Sequence, residues 1–265
     1  MSSNQPDWLD VREAHDHVAR SKTLALRFLQ HLSPGSRLID LACGSGSNIR
    51  YLLPIGGQSH RWLCVDHDAT VLMRALENLS ATQVDAQQID LASDLSQLFR
   101  SPFDAVTASA FLDITSAPWL DQFAVAIASV PFLAAMTLSG PVALYPESAA
   151  DASIQKLLSV HQCSDHGFGP ALGPDASKYL STRLKQLGNA VTTEHSDWIL
   201  GPTDRDTQRI LVNGIAKRMH LLLAKDIGAS KMQIDEWSEE RNLQIDAGAL
   251  RMVVPHADLL SLPPR

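Results

Sequence analysis

Cysteine is scarce in this 265-residue sequence, and neither a basic excess nor a long apolar run is present. The three cysteines form no CxxC or other ligand spacing, which indicates reduced thiols in a cytosol rather than a disulfide framework. The sequence has 22 Lys and Arg against 29 Asp and Glu, a formal net charge of -7. That balance gives no general attraction to a polyanion, so a nucleic-acid substrate is disfavoured.

Signals for membranes and metals are missing as well. Residues 1–7 are polar and lack the basic-then-apolar pattern of a signal peptide. The longest apolar stretch, 123–138, is interrupted by a serine and a proline and is too short to span a bilayer. His15 and His17 are two residues apart and cannot share a helix face. We therefore expect a cytoplasmic protein that uses neither a membrane segment nor a metal.

Short apolar runs alternate with helical patterns through the first half of the chain. This alternation predicts parallel βαβ units with helices on both faces of the sheet. The five predicted strands are 37–42, 61–65, 84–89, 103–109 and 132–138.

The second half of the chain has a different pattern. Helices are predicted at 151–161 and 175–187, and late strands near 190–200 and 249–255, with about fifty residues of helical pattern between those strands. We expect a single domain over 1–265, with an N-terminal helical segment at 1–33 and a core at 34–202 and 244–265. Residues 203–243 then form a helical insert, a candidate lid or interface.

The most informative stretch is LIDLACGSG, in which a buried strand ends in glycines and a helix opens. Gly44 and Gly46 let the backbone approach a ligand closely, and the helix N-terminus offers free N–H groups. Asp66 ends the next strand, about twenty residues further on. A carboxylate there can accept both ribose hydroxyls of an adenosine-containing cofactor.

Two cofactor classes fit that pattern. A nicotinamide fingerprint needs a third glycine, but Ile49 stands at its position. Asp40, just before the turn, would repel a pyrophosphate and would attract the cationic amino-acid end of S-adenosylmethionine. A nicotinamide-dependent oxidoreductase is therefore the weaker alternative.

These residues resemble the class I methyltransferases. LIDLACGSG is similar to their motif I, with Ala42 where the family usually has glycine. Asp66, Asp90-Leu91 and the strand-four segment FDAVTASAFLD resemble the family's later motifs, and the resemblance covers about residues 24–138. It implies S-adenosylmethionine as the cofactor. It also implies a Rossmann-like three-layer α/β sandwich whose mostly parallel seven-stranded sheet has the order 3-2-1-4-5-7-6, strand seven being antiparallel.

Three groups of site residues follow. The candidate cofactor-binding residues are Asp40, Ala42, Gly44, Ser45, Gly46, Asn48, Asp66, His67, Asp90, Leu91, Ser109 and Ala110. The candidate catalytic residues are Asp113, His161 and His166. The candidate substrate-binding residues are Phe168, Asp165, Trp198 and Arg20. Each has an ordinary structural alternative, such as a helix cap for Asp113 or core packing for Trp198.

The expected reaction is methyl transfer to a small-molecule acceptor by in-line displacement, in a monomer or homodimer. Strand four lacks the Asn/Asp-Pro-Pro-aromatic sequence used for exocyclic amino nitrogens of nucleobases or glutamine. It also ends without a cysteine, which disfavours methylation of a base carbon. A catalytically silent, methyltransferase-like binding or scaffold protein is the alternative from a different functional class.

Overall fold

The computed structural model describes residues 8–79, 83–93, 95–100, 102–223 and 231–264. Residues 1–7 of the predicted N-terminal segment and 224–230 of the predicted insert lie outside the described residues. Within the described part, the strands are β1 Arg37–Leu41, β2 Arg61–Asp66, β3 Val84–Gln88, β4 Ala105–Ser109, β5 Phe132–Leu138, β6 Ala143–Tyr145, β7 Ala190–His195, β8 Trp198–Leu200, β9 Arg251–Val254 and β10 His256–Leu262. The helices are α1 Trp8–Ala19, α2 Lys22–Gln30, α3 Ser47–Leu52, α4 Ala69–Asn78, α5 Ala117–Ile127, α6 Asp151–Gln162, α7 Ala176–Gln186, α8 Arg205–Leu223 and α9 Lys231–Asp246.

The main sheet has seven strands in the order β3-β2-β1-β4-β5-β10-β7. β1 to β5 are parallel, and β10 runs antiparallel to both β5 and β7. This is the predicted 3-2-1-4-5-7-6 order, which the structure confirms. Asp40 on β1 is in register with Cys64 on β2 and Thr107 on β4, so the carboxyl ends of these strands meet at one edge.

The predicted position of the last strand is wrong. Residues 251–254 form β9, which pairs with β6 and β8 in a separate three-stranded antiparallel sheet. The predicted strand over 190–200 is likewise divided between the two sheets. The strand that completes the main sheet is β10, which carries buried His256, Asp258 and Ser261. These polar side chains interrupt the run of apolar residues by which a core strand is predicted.

Apolar side chains cover both faces of the main sheet. Adjacent residues of β1 point to opposite faces, so Leu38 packs with α2, α3 and α4, whereas Ile39 packs with α5 and α7. A third cluster joins the small sheet to α6, α8 and α9 around Trp198 and Trp237. α8 and α9 follow β8 and precede β9, where the helical insert was predicted. None of the described helices is long and apolar enough to cross a membrane.

Candidate active site

Strained backbone marks the carboxyl edge of the central strands. Among the described residues, three other than glycine have positive φ: Ala42 after β1 at 48°, Ala110 after β4 at 51° and Met136 in β5 at 54°. Such conformations cost about 1–3 kcal/mol each and cluster at functional sites. All three residues line one of the two neighbouring cavities described below.

The glycine loop after β1 needs its glycines for conformation and for space. Gly44 and Gly46 have φ of 52° and 85°. A Cβ on Gly46 would lie 2.8 Å from a methyl carbon of Leu79, the residue at the end of α4. Ser45 is buried beside them, and its carbonyl accepts hydrogen bonds from Arg50 and Asn78. The loop is therefore held rigidly with its backbone open towards a cleft.

Asp40 is fully buried at the base of this cleft. Its Oδ1 accepts hydrogen bonds from Asn48 Nδ2 at 2.5 Å and Thr107 Oγ1 at 2.8 Å. Its Oδ2 is buried and has no partner among the described residues. Burial raises the pKa of Asp40 to about 6, against the lowering effect of its two hydrogen bonds and of Arg20. An unpartnered buried carboxylate oxygen is costly unless a cation or donor completes it.

Arg20 lies between α1 and α2, close enough to Asp40 for each to favour the charged form of the other. Its guanidinium carbon lies 4.0 Å from the centroid of the Tyr51 ring. It is 5% exposed, and neither Nε nor Nη2 has a hydrogen-bond partner in the part of the chain that the structure describes. Burial lowers the pKa of Arg20, while the Asp258 carboxylate acts in the opposite direction.

Asp66 ties the end of β2 to the glycine loop. Its Oδ2 accepts from the backbone N–H of Gly44 at 3.0 Å, and its Oδ1 accepts from that of Asp68 at 3.1 Å. His67 places Nδ1 3.2 Å from the same carboxylate, with most of its side chain exposed. The acidic residue thus stands beside the loop, as the sequence predicts.

Asp90 and Leu91 follow β3. Asp90 is exposed, and its Oδ1 accepts from the backbone N–H of Ala92 at 3.0 Å. Leu91 is buried, and its carbonyl accepts from Trp119 Nε1 at 2.8 Å. The structure therefore shows Asp90 as a turn cap, which is compatible with, and does not require, a contact with an adenine ring.

A cleft of about 120 Å³ lies at the glycine loop and is called the glycine-loop cleft here. It gathers seven of the predicted cofactor-binding residues and is closed on one side by α1. Its lining residues are Leu9, Arg12, Asp16, Asp40, Ala42, Cys43, Gly44, Ser45, Ser47, Asn48, Ser109 and Ala110.

A larger cavity of about 480 Å³, the central cavity, adjoins this cleft. The two spaces share Arg12 and Ala110, so they meet at the end of β4. The lining is mainly apolar and aromatic with a few polar groups. Its residues are Trp8, Arg12, Ala110, Asp113, Ile114, Met136, Leu138, Val142, Leu158, His161, Gln162, His166, Trp198, Leu211, Ile215, Arg218, Val254 and His256.

The central cavity brings together all three predicted catalytic residues. Asp113, His161 and His166 line it, although they come from the segment after β4, from α6 and from the following loop. The two histidine rings are 5.3 Å apart, and the His166 Nε2 is 3.2 Å from the His161 carbonyl oxygen. Trp198 is both core and cavity wall, with its Nε1 donating to Asp16 at 3.0 Å.

The structure does not bring Phe168 or Asp165 to the central cavity lining. Phe168 makes edge contacts with Phe111 and Trp119, with centroids 5.5 and 5.4 Å away, and so belongs to the core under the sheet. Asp165 Oδ1 accepts from two backbone N–H groups of its own loop, at 2.7 and 3.0 Å. Both residues organise this loop, because a short Gly-rich segment needs such contacts to hold one shape.

Burial sets the protonation of the groups around the central cavity. It raises the pKa of Asp113, whose Oδ1 has no partner among the described residues. It lowers the pKa of His161, an effect that the neighbouring Arg218 adds to. It lowers the pKa of His256 to about 4, so that this ring is neutral at pH 7. The imidazole rings of His161 and His256 are therefore both neutral at pH 7.

Helix α1 supplies residues that the sequence analysis missed. Trp8, Arg12 and Asp16 lie four residues apart on one helix face, and all three line the cavities. Arg12 Nε donates to Asp16 Oδ2 at 2.8 Å. His15 Nε2 is 2.8 Å from Thr207 Oγ1, which joins α1 to α8. The i, i+4, i+8 spacing of a tryptophan, an arginine and an aspartate was the signal available in the sequence.

Residues 38–130 match a family model described as a methyltransferase domain. The match confirms the resemblance inferred from the motifs: this segment is of the class I methyltransferase type, and the cofactor of that family is S-adenosylmethionine, as predicted. It supports methyl transfer as the chemistry of the domain. No curated protein matches the sequence.

Several solved structures align with most of the chain. Cyclopropane synthase MmaA2 from Mycobacterium tuberculosis aligns over 90% of this chain and 82% of its own, with 11% identity and a TM-score of 0.48. A putative sarcosine dimethylglycine methyltransferase from Galdieria sulphuraria aligns over 91% and 84%, with 15% identity and a TM-score of 0.46. For a phosphoethanolamine N-methyltransferase from Haemonchus contortus the shares are 97% and 57%, with 14% identity and a TM-score of 0.48.

Proposed function

We propose that this chain transfers a methyl group from S-adenosylmethionine to a small molecule held in the central cavity. The observation that carries the proposal is the junction of the two spaces at Arg12 and Ala110. A cofactor on the glycine loop and an acceptor in the central cavity would meet there. This juxtaposition supports transfer between two bound molecules rather than storage of one.

Asp40 lines the glycine-loop cleft, and Arg20 lies close to Asp40 although it is not in the lining of either cavity. Together they fit the zwitterionic end of this cofactor. Asp40 Oδ2 and the Arg20 Nε and Nη2 are buried, opposite in charge and without partners among the described residues. An ammonium group would complete Asp40, and a carboxylate would complete Arg20. Asp66 and Asp90 would hold the adenosine end. When bound, S-adenosylmethionine supplies an electrophilic methyl group on a sulfonium.

Asp113 is our candidate for the group that accepts a proton from the acceptor. Its raised pKa makes the carboxylate more basic than an exposed one, its side chain lines the central cavity, and its buried Oδ1 has no partner among the described residues. His161, neutral at pH 7 because of its lowered pKa, is the second candidate. The rest of the rate enhancement rests on orientation, which lowers barriers by about 7–11 kcal/mol in well-ordered sites.

The walls of the central cavity favour a small acceptor. Its 480 Å³ falls in the range of about 300–1,000 Å³ that is usual for small-molecule sites. α1 and α8 cover it, with Leu211, Ile215 and Arg218 contributed by α8. The predicted lid role of the 203–243 insert therefore gains support from α8, which would exclude water from the reaction.

Calorimetry with four ligands tests the cofactor. We expect S-adenosylmethionine and S-adenosylhomocysteine to bind, 5′-methylthioadenosine to bind more weakly, and NAD to bind least. Asp40→Asn and Arg20→Met should each weaken the two amino-acid-bearing ligands by tenfold or more, roughly the value of one charged hydrogen bond. Both variants should leave methylthioadenosine affinity unchanged, because that ligand lacks the amino-acid end.

The exposed Asp85 on β3 provides a matched control. Asp85→Asn makes the same chemical change away from the cleft and should leave all four affinities as they are. Absence of heat with both sulfur cofactors at millimolar concentration would refute the proposal. A uniform loss for all ligands in Asp40→Asn would instead show that the substitution damages the fold of the loop.

A further inference from the structure

A second cleft, here called the outer cleft, opens beyond the central cavity and has no part in the proposed reaction. Its volume is about 320 Å³. It lies between β6, the first turns of α6, and α9, and most of its lining is apolar. The lining residues are Val142, Ala143, Leu144, Tyr145, Glu147, Ser148, Asp151, Ala152, Ile154, Gln155, Leu158, Ile215 and Trp237.

The outer cleft adjoins the central cavity. Val142, Leu158 and Ile215 line both spaces. The glycine-loop cleft meets the central cavity at a different place, the junction at Arg12 and Ala110. The three spaces therefore follow one another, with the central cavity in the middle. A molecule longer than the central cavity would extend into the outer cleft.

The central cavity and the outer cleft have linings that favour different chemical groups on a ligand. The central cavity holds the buried oxygens Asp113 Oδ1 and Gln162 Oε1, neither of which has a partner within the described ranges. Because Asp113 and Gln162 line the cavity, their carboxylate and amide groups favour a ligand that carries hydrogen-bond donors. The rings of Trp8 and Trp198, with centroids 6.0 Å apart and planes tilted by 57°, also line this cavity. This lining favours a planar group that carries an O–H or N–H donor.

In the outer cleft, by contrast, both oxygens of the half-buried Asp151 carboxylate already have partners. Asp151 Oδ2 accepts from Arg241 Nη2, and its Oδ1 accepts from Trp237 Nε1 at 2.8 Å. Glu147 is exposed at the rim. The rest of the lining consists mainly of apolar side chains and includes the aromatic residues Tyr145 and Trp237. This lining favours an apolar chain, and the acidic rim disfavours a chain that ends in an anion.

We propose that the acceptor is an elongated amphipathic molecule, with a planar hydrogen-bond-donating head in the central cavity and an apolar tail in the outer cleft. The head is the part that would be methylated, and in this respect alone the proposal rests on the proposed function. The three residues that line both spaces favour this occupant over a second copy of the chain.

Binding of phenol and 4-butylphenol, measured by ligand-observed NMR in the presence of S-adenosylhomocysteine, tests the proposal. Phenol represents the head alone, and the butyl group adds a short tail. Each buried methylene is worth about fourfold in affinity. We therefore expect 4-butylphenol to bind at least tenfold more tightly than phenol, a gain of the order that three partly buried methylenes supply.

Three substitutions on α6 distinguish an effect of the outer cleft from an effect of the neighbouring surface. Ala152 lines the cleft and is exposed, so Ala152→Trp fills the space without disturbing the core. Ser153 is the next residue, also exposed and outside the cleft lining, so Ser153→Trp is the matched control. Ala152→Trp should reduce the butyl gain to below about threefold and leave phenol affinity unchanged, since only the tail loses its burial. Ser153→Trp should change neither value, and Gln155→Phe, also in the cleft, should repeat the effect of Ala152→Trp.

Equal affinities for the two phenols in the unsubstituted chain would overturn the proposal. So would an equal loss of both in Ala152→Trp, or sedimentation showing a dimer that Ala152→Trp dissociates, because a second copy would then occupy the cleft. S-adenosylhomocysteine titrations of the same samples distinguish failure of the proposed function from failure of the two-part acceptor. Absence of cofactor binding in the unsubstituted chain refutes the proposed function. The difference in affinity between 4-butylphenol and phenol tests the outer cleft alone.

Discussion

Replacing Asp40 by asparagine is expected to stabilise the fold while removing the group that receives the cofactor's ammonium. The side chain is fully buried, and only one of its oxygens accepts hydrogen bonds, from Asn48 and Thr107. The amide oxygen of the new side chain can accept the same two bonds. Its NH₂ group then takes the place of Oδ2, which has no partner among the described residues. The substitution therefore removes a buried charge and keeps the existing bonds.

The magnitude follows from the pKa of Asp40, raised by burial from 3.8 to about 6. Because the folded state holds the proton more tightly than the unfolded state, the free energy of unfolding falls as the pH rises from below 3.8 through about 6 and is then constant. Each pH unit of that shift is worth about 1.4 kcal/mol, so the charge costs about 3 kcal/mol at pH 7.5. At pH 4.5 the same two pKa values give a cost of about 1 kcal/mol.

Urea unfolding of the chain and of Asp40→Asn at pH 4.5 and 7.5 measures this difference. We expect the variant to be more stable by up to about 3 kcal/mol at pH 7.5, and by about 1 kcal/mol at pH 4.5. The exposed Asp85→Asn should show no such pH-dependent gain. A variant that is less stable at pH 7.5, or a gain that does not change with pH, would refute the reasoning. The buried carboxylate would then be stabilised by something other than its two described donors.

Three further predictions concern other carboxylates. Asp66→Ala should weaken S-adenosylhomocysteine binding by about 1.5–3 kcal/mol in calorimetry, which is the range for hydrogen bonds to a charged group. Unchanged binding would show that Asp66 does not hold the ribose. Asp113→Asn should lower methyl transfer about 10²–10⁴-fold once an acceptor is known and leave cofactor affinity intact, whereas a full rate would make His161 the better base. Asp258→Ala should lower the free energy of unfolding by at least about 3 kcal/mol in urea titrations, because two backbone N–H groups and a serine hydroxyl lose their buried acceptor; a loss under about 1 kcal/mol would contradict this view.

The first five strands and the glycine loop could be predicted from the sequence because their signals are local. A buried parallel strand is a short apolar run, and a turn with positive φ calls for glycine at Gly44 and Gly46. The acidic residues at strand ends, Asp40 and Asp66, follow from the same pattern, since parallel strands place their carboxyl ends together. These features were enough to define the fold class and the cofactor.

The end of the sheet and the walls of the central cavity depended on contacts between distant parts of the chain. β10 carries buried His256 and Asp258, and Asp258 accepts a hydrogen bond from the backbone of Met136 on β5. Because such partners lie on other elements, the sequence of β10 alone does not predict a core strand. Phe168 sits between two glycines, a setting that suits a mobile aromatic, yet Phe111 and Trp119 supply a place for it in the core.

The sequence by itself determined the class of cofactor site, because the spacing of glycines and acidic residues along βαβ units is a property of neighbouring residues. The tertiary structure alone decided where the central cavity lies and which residues line it. Trp8 on α1, His161 on α6 and Ile215 on α8 are far apart in the chain, and no periodicity within one element shows that three helices close over the same strand edge. Their meeting is set by the packing of helices against the two sheets, and that packing gives the central cavity its shape.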